Sequence, residues 1–395
     1  MTKRLNWITD ELDALSGQGL LRELQTRESP PVGGMVQLNG VALVNFGSND
    51  YLGLAADERL IDAVKHFSGQ CGWGAGGSSL VNGRGTLHRR LEQEIARFKK
   101  TEAALLFPTG FAANVGAVTS LVGRGDAVFS DELNHASLID GCRLSGASIH
   151  VYRHRDTSHL AELLQAASGA GRRLIVTDSV FSMNGDVAPL DALAELAEQH
   201  EAMLLVDEAH ACGVLGHCGR GACEQLAVES RVDLQVGTLS KAFGSLGGYI
   251  TGSDELIQWI CNRARTYMFS TAQPEAISAA SLAALEIVQA DAPRRLRVVE
   301  SASRLRQILN GLGFNTAGSS TQIIPLIVGD NDRAVAMSRE LRNRGFYVPA
   351  IRPPAVPNHL ARLRISLSSQ HTEDQLQRFG DCLTAMSAVK DFSPR

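Results

Sequence analysis

From about residue 100 to 250 the chain alternates between two hydrophobic periods. The short apolar runs "AALLF", "DAVFS", "SIHVYR", "RLIVTD", "AMLLVD", "DLQVGT" and "GGYITG" have the length and the Val, Ile and Leu content of buried strands. Between them, "FAANVGAVTSLV", "DTSHLAELLQAA" and "LDALAELAEQH" place apolar residues every three or four positions, as amphipathic helices do. This alternation predicts an α/β fold with a mostly parallel central sheet covered by helices on both faces. Such sheets bind ligands at the carboxyl ends of their strands, so polar residues at those ends are the first candidates for chemistry.

Near residue 273 the pattern changes. "QPEAISAASLAALEIVQA" and "RRLRVVESASRLRQILNGLGF" read as long helices, and the strands "IIPLIVG", "GFYVPAI" and "ARLRISL" then alternate with helices. The expected organisation is an N-terminal arm over 1–47, a large α/β domain over 48–288 and a smaller C-terminal α+β domain over 289–395, with Pro293 near the hinge. The arm is helical at first and then broken by "SPPVGG". No internal repeat or low-complexity segment interrupts this plan.

With 395 residues, 44% of them hydrophobic, and a net charge of −4, the chain has a large core and no basic field to attract nucleic acid or a membrane surface. No apolar stretch reaches the length of a membrane span, and "MTKRLNWITDELDALSGQG" carries acids where a secretory core is apolar, so a cytoplasmic location is expected. Seven cysteines without framework spacing fit free thiols. His210, Cys212, His217, Cys218 and Cys223 crowd together but offer no C-x-x-C pair, and no metal is expected.

The stretch "GTLSKAFGSLGG" holds Lys241, the only lysine between Lys100 and Lys390; elsewhere in that span positive charge comes from arginine. A desolvated amine can lose its proton and attack a carbonyl carbon, which a guanidinium cannot do. The surrounding glycines allow a ligand to approach the backbone closely. Strand "AMLLVD" ends in Asp207 and leads into "DEAH", with His210 three residues on. The same four letters occur in nucleotide-driven helicases, but the dipeptide Gly-Lys of a phosphate loop is absent. "GWGAGG" satisfies G-x-G-x-x-G, yet a polar helical segment precedes it where a dinucleotide site needs a strand, so it reads as a flexible loop. In "FPTGFAANVGA" strand "AALLF" runs through Gly110 into a helix starting near Phe111, an arrangement suited to an anion and equally found in plain strand-to-helix turns. Thr238 adds a hydroxyl just before the lysine, and His135 in "LNHASL" adds a flat ring. A phosphate site, a strand-end acid, a ring and a lone lysine are together what pyridoxal phosphate requires.

"FGSNDYLGL", "GGSSLVNGRGTLHRRLE", "LNHASLIDG", "SVFSMNGDVAPL", "VDEAHACGVLGHCGRG", "GTLSKAFGSLGG", "AIRPPAVP" and "ARLRISLSSQHT" occur in order along nearly the whole chain. In this ordered set the chain resembles the pyridoxal-phosphate-dependent α-oxoamine synthases. The resemblance implies a fold-type I pyridoxal-phosphate enzyme. It further implies that Lys241 is the Schiff-base lysine and base, Asp207 the partner of the pyridine nitrogen, and His135 the ring stacked on the cofactor. It places Ser182 and His210 near the phenolic oxygen, and Gly110, Phe111 and Thr238 near the phosphate. Arg352 resembles the arginine that grips the amino-acid carboxylate; Arg22 and Asn49 are further substrate candidates. A homodimer is implied, with Ser270 and Thr271 contacting the neighbour's phosphate.

The branch most closely resembled joins L-alanine to a pimeloyl thioester, carried by acyl carrier protein or coenzyme A, with loss of carbon dioxide, as a step of biotin synthesis. The nearest alternative is a glycine- or serine-using sister such as 2-amino-3-ketobutyrate CoA ligase. The chain departs from the family pattern at Asp178, where glutamate is common, at Asn184, where aspartate is usual, and at Ala355, where threonine is usual. Ala355 stands where the family contacts substrate, so its missing hydroxyl bears on acyl recognition.

Overall fold

The computed structural model describes residues 3–389 and 391–394. Its strands, in chain order, are β1 (Met35–Leu38), β2 (Val41–Asn45), β3 (Ala103–Phe107), β4 (Ala127–Asp131), β5 (Ser148–Tyr152), β6 (Arg173–Asp178), β7 (Met203–Asp207), β8 (Leu234–Thr238), β9 (Gly248–Gly252), β10 (Ile323–Gly329), β11 (Phe346–Tyr347), β12 (Ala350–Ile351) and β13 (Ala361–Ser366). The chain divides into two compact units, one of residues 49–182 and 187–297, the other of the described residues within 1–48, 183–186 and 298–395.

The larger unit is built on a seven-stranded sheet of order β3-β9-β8-β7-β6-β4-β5. Only β9 runs against its neighbours β3 and β8; the other six strands share one direction. The carboxyl ends of β3, β4, β6, β7 and β8 therefore line one rim, as the alternating sequence pattern predicts. Leu174, Ile175 and Val176 are consecutive in β6 and all fully buried, which requires cover on both faces of the sheet. On one face Leu174, Val176, Leu205 and Val236 pack with Val118 and Leu121 of helix Gly110–Leu121. Each such side chain taken out of water contributes about 1.5–3 kcal/mol.

The smaller unit holds two three-stranded sheets, β1-β2-β11 and β10-β13-β12. Here the expected single strand "GFYVPAI" is corrected: β11 pairs in parallel with β2, whereas β12 pairs antiparallel with β13. The break lies at Pro349, which has no N–H to give to a ladder and whose carbonyl instead accepts from the Arg364 amide. Pro293, expected near a hinge, sits in the first turn of the continuous helix Ala292–Gly311, where a missing N–H costs nothing.

Within the smaller unit His371 is buried against Phe46, with ring centroids 4.4 Å apart. Its Nδ1 accepts from the Ser368 amide at 3.0 Å and its Nε2 lies 3.0 Å from the Asn45 carbonyl, so the neutral ring is fully used. Burial pushes its pKa from 6.5 down to about 4. Because the unfolded chain takes up this proton first, the contribution of His371 to stability is present above pH 6.5 and is lost as pH falls toward 4. The loss expected from this one group is about 3 kcal/mol. Urea unfolding at about pH 7 and about pH 4.5 should show a smaller pH effect in His371→Gln than in the parent, since glutamine has no such proton to gain.

Candidate active site

The rim is assembled from the turns that follow the strands of the larger unit. Asp207 ends β7 and is 4% exposed. Its Oδ1 accepts the Ala209 amide at 2.8 Å and its Oδ2 accepts Asn114 Nδ2 at 2.6 Å. Asn114 stands one helical turn beyond Gly110 and donates its second amide proton to Ser137 Oγ at 2.8 Å. The Ser137 hydroxyl is in turn 2.7 Å from His135 Nδ1. One side-chain amide thus ties the strand-end acid to the candidate ring.

His135 caps helix Ala136–Ser145, and its own amide donates to Asp178 Oδ2 at 2.6 Å. Burial lowers its pKa; the charge of Asp207 works against that shift and that of Lys241 with it, so the ring is held neutral. Asp178 is buried beside Asp207, its Cα partner in the β6–β7 ladder, and burial together with that neighbouring charge raises its pKa well above the carboxylate range. The Phe111 ring meets His135 edge-on, with centroids 6.4 Å apart.

Lys241 lies in the turn after β8, with Nζ 2.9 Å from His210 Nε2. His210 Nδ1 is 2.7 Å from the hydroxyl of Tyr51, a fully buried side chain, and that hydroxyl donates to Asn49 Oδ1 at 3.2 Å. The glycines around the lysine serve a different purpose from the one their sequence suggests. A Cβ on Gly237 would lie 2.2 Å from the Tyr249 ring, and one on Gly244, at φ +60°, would lie 2.4 Å from the Ala55 nitrogen. At these two positions the close neighbour is the protein itself, and the turn is fixed by packing.

Thr109 Oγ1 caps helix Gly110–Leu121 by accepting the Ala112 amide, so the amides of Gly110 and Phe111, which have no acceptor inside the helix, mark its positive end. Thr238 is packed beside them: a Cβ on Gly110 would sit 3.3 Å from Thr238 Cβ. Its hydroxyl reaches Ser240 Oγ at 2.7 Å and the Gly247 carbonyl at 2.8 Å. No acidic side chain occupies this first turn. Two helix-end amides, a buried carboxylate, an amine and a neutral imidazole form the donor and acceptor set that a phosphorylated pyridine aldehyde matches.

The other expected residues are placed less centrally. Ser182 is half-buried just past β6. Thr271 is exposed and bridges to Ser78, next to the half-buried Ser270 and to Phe269, which is 68% exposed. Arg22, Arg352 and Ala355 belong to the smaller unit and lie together there. Arg22 Nη2 donates to the Pro353 carbonyl at 3.0 Å, Arg352 donates to the Gly19 carbonyl, and the Ala355 amide donates to the Arg352 carbonyl at 3.2 Å. Burial and the charge of Arg22 lower the pKa of Arg352. Asn184, also in this unit, accepts from Arg362 at 2.5 Å. Among the described residues no three His, Cys, Asp or Glu are grouped to hold a metal, and no helix is long and apolar enough to cross a membrane.

Asn114, Ser137 and Tyr51 were not singled out from the sequence. Asn114 had one available signal: four residues after Gly110, it returns to the same face of the helix. Tyr51 had none, because its partner His210 is 159 residues away.

Residues 41–383 match the family Aminotransferase class I and II. An 8-amino-7-oxononanoate synthase of Anaeromyxobacter dehalogenans is 49% identical over 385 residues, covering 98% of this chain and 96% of that one. Among solved structures, the serine palmitoyltransferase of Sphingomonas wittichii superposes with a TM-score of 0.91 at 32% identity, covering 97% of this chain and 96% of the other. A structure of SPT with PLP internal aldimine gives a TM-score of 0.92 at 30% identity over 98% of this chain and 100% of that one. Agreement over this length, in both sequence and fold, shows that the chain belongs to the aminotransferase class I and II family and, within it, to the pyridoxal-phosphate-dependent α-oxoamine synthases.

Proposed function

We propose that this pyridoxal-phosphate-dependent acyltransferase joins L-alanine to a pimeloyl thioester, on acyl carrier protein or coenzyme A, to give 8-amino-7-oxononanoate, carbon dioxide and free thiol in biotin synthesis. The observation that carries the reading is the Lys241 amine, 2.9 Å from the His210 ring at the rim where Asp207 is buried, in a chain 49% identical to a relative of that name. In the overall reaction the alanine α-carbon bonds to the acyl carbonyl carbon, the thioester C–S bond breaks, and the α-carboxyl group leaves as carbon dioxide. Bound at the rim, pyridoxal phosphate supplies an aldehyde for amine exchange and a ring that absorbs the electron pair of the α-carbon.

The chain's own residues do the rest. Lys241 holds the cofactor and, once released, takes the α-proton on Nζ, with His210 beside it to accept a hydrogen bond. Asp207 holds the proton of the pyridine nitrogen, and Asn114 keeps the carboxylate aimed. His135, held neutral by burial, offers a ring face without adding a charge. Gly110, Phe111 and Thr238 hold the phosphate, and Ser182 lies toward the phenolic oxygen. Arg352 and Arg22 present guanidinium groups to substrate carboxylates, whose planar geometry matches theirs. Asn49 and Ala355 are the remaining substrate contacts in this reading. Two chains form the working unit, with Ser270 and Thr271 directed to the neighbour's phosphate.

Incubation with pimeloyl-coenzyme A and alanine, glycine or serine in turn should release thiol fastest with alanine. A preference for glycine or serine would move the protein to a sister activity, as the likeness to a serine palmitoyltransferase allows. Lys241→Ala is expected to remain folded by circular dichroism while losing borohydride-reducible attachment of the cofactor. Asn114→Ala, which takes a donor from a buried carboxylate, should weaken cofactor binding in equilibrium dialysis roughly tenfold, the equivalent of ~1.4 kcal/mol.

A further inference from the structure

The buried side chain of Tyr51 lies on a hydrogen-bonded path that leads through His210 to Lys241. Its hydroxyl carries a single proton and lies near two groups, Asn49 Oδ1 at 3.2 Å and His210 Nδ1 at 2.7 Å. An amide oxygen only accepts. With the hydroxyl donating to Asn49, the same oxygen is left to accept an Nδ1–H, and the neutral imidazole then presents an Nε2 lone pair to Lys241 Nζ, 2.9 Å away. In that arrangement the donors run in one direction, from Lys241 to His210, from His210 to Tyr51 and from Tyr51 to Asn49. The opposite arrangement, in which Tyr51 donates to Nδ1, would aim an Nε2–H at the amine and disfavour its protonated form.

We propose that Tyr51 is a positioning residue that holds His210 as its Nδ1–H tautomer, so that the ring acts as a hydrogen-bond acceptor toward Lys241 and favours the protonated amine in the cofactor-free chain. The assignment follows from three distances and from an amide oxygen's inability to donate, all within the larger unit. His135 and Asp178 also act electrostatically on Lys241, and removing one phenolic oxygen touches neither. The consequence for catalysis rests on the function proposed above, where Lys241 must take a proton and hold it; the tautomer itself does not.

The test uses cofactor-free protein with nitrogen-15 histidine and long-range proton–nitrogen correlation spectra, His210→Gln identifying the His210 signals by their loss. Wild-type His210 is expected to be protonated on Nδ1. In Tyr51→Phe, which preserves the shape of the side chain and takes away the oxygen facing Nδ1, the Nε2–H form should gain population. In parallel, acylation of Lys241 by acetic anhydride at one fixed pH, followed by peptide mass spectrometry, should be faster in Tyr51→Phe by about threefold or more, because more of the amine is neutral. An Nε2–H tautomer in the wild type overturns the proposal, as does an unchanged tautomer with unchanged acylation in the variant. Neither readout involves turnover, so a failure of the alanine reaction leaves this result standing, and the reverse holds too.

Discussion

A carboxylate in a sheet interior is tolerated only where hydrogen-bond donors replace the water it has lost. Asp207 meets that condition through the Ala209 amide and Asn114, and the second proton of the same Asn114 amide fixes Ser137 against His135. The acid and the imidazole therefore do not find their places independently. The helix Gly110–Leu121 that brings Asn114 also brings the first-turn amides of Gly110 and Phe111, so one element, buried at every position from Ala113 to Val118, sets the anion end and the acid end of the site together. Its seating depends in turn on the core beneath it, where Val118 and Leu121 meet β6, β7 and β8.

The same economy appears along the rim. Strands β4, β6 and β7 each end in aspartate, and each carboxylate holds the backbone of a loop at the rim. Asp131 accepts the amides of Leu133 and Arg155, Asp178 that of His135, and Asp207 that of Ala209. A parallel sheet fixes where its strands stop but leaves the loops beyond them free. Strand-end acids convert those loops into defined geometry, at the cost of placing carboxyl groups close together. Asp178 shows that cost: burial, then the charge of Asp207, lift its pKa well above the usual range.

What the sequence revealed and what it concealed follow from how local each cause is. Strands such as "RLIVTD" and helices such as "LDALAELAEQH" are written in the spacing of nearby apolar residues, and the sheet they predict is the sheet observed. Lys241, His210, Asp207, His135, Gly110 and Thr238 were legible because each sits at a strand end or in the turn beyond it. "GFYVPAI" was misread because an unbroken apolar run does not show that Pro349 will split it between two sheets. The bond between Asn114 and Asp207 spans 93 residues, and no spacing rule within one segment reports it. The glycines at 237 and 244 were seen, but their neighbours, Tyr249 and Ala55, emerge only from the folded chain.

Burial alone does not make a lysine reactive, and the chain contains its own control. Lys99 is completely buried, and burial works against its charge, yet Cys212, Glu208, Cys223 and Glu229 together more than offset this and keep its pKa above the ordinary lysine value. It donates to the Arg220 carbonyl, while Glu208 accepts from Ser179 and from the amides of Ala222 and Cys223. An amine in such a setting is a structural cation. Lys241 faces an imidazole instead, whose proton, in the neutral ring, can sit on either nitrogen. The difference between the two lysines lies in the group each one faces, a backbone carbonyl near the buried Glu208 for Lys99 and the His210 ring for Lys241.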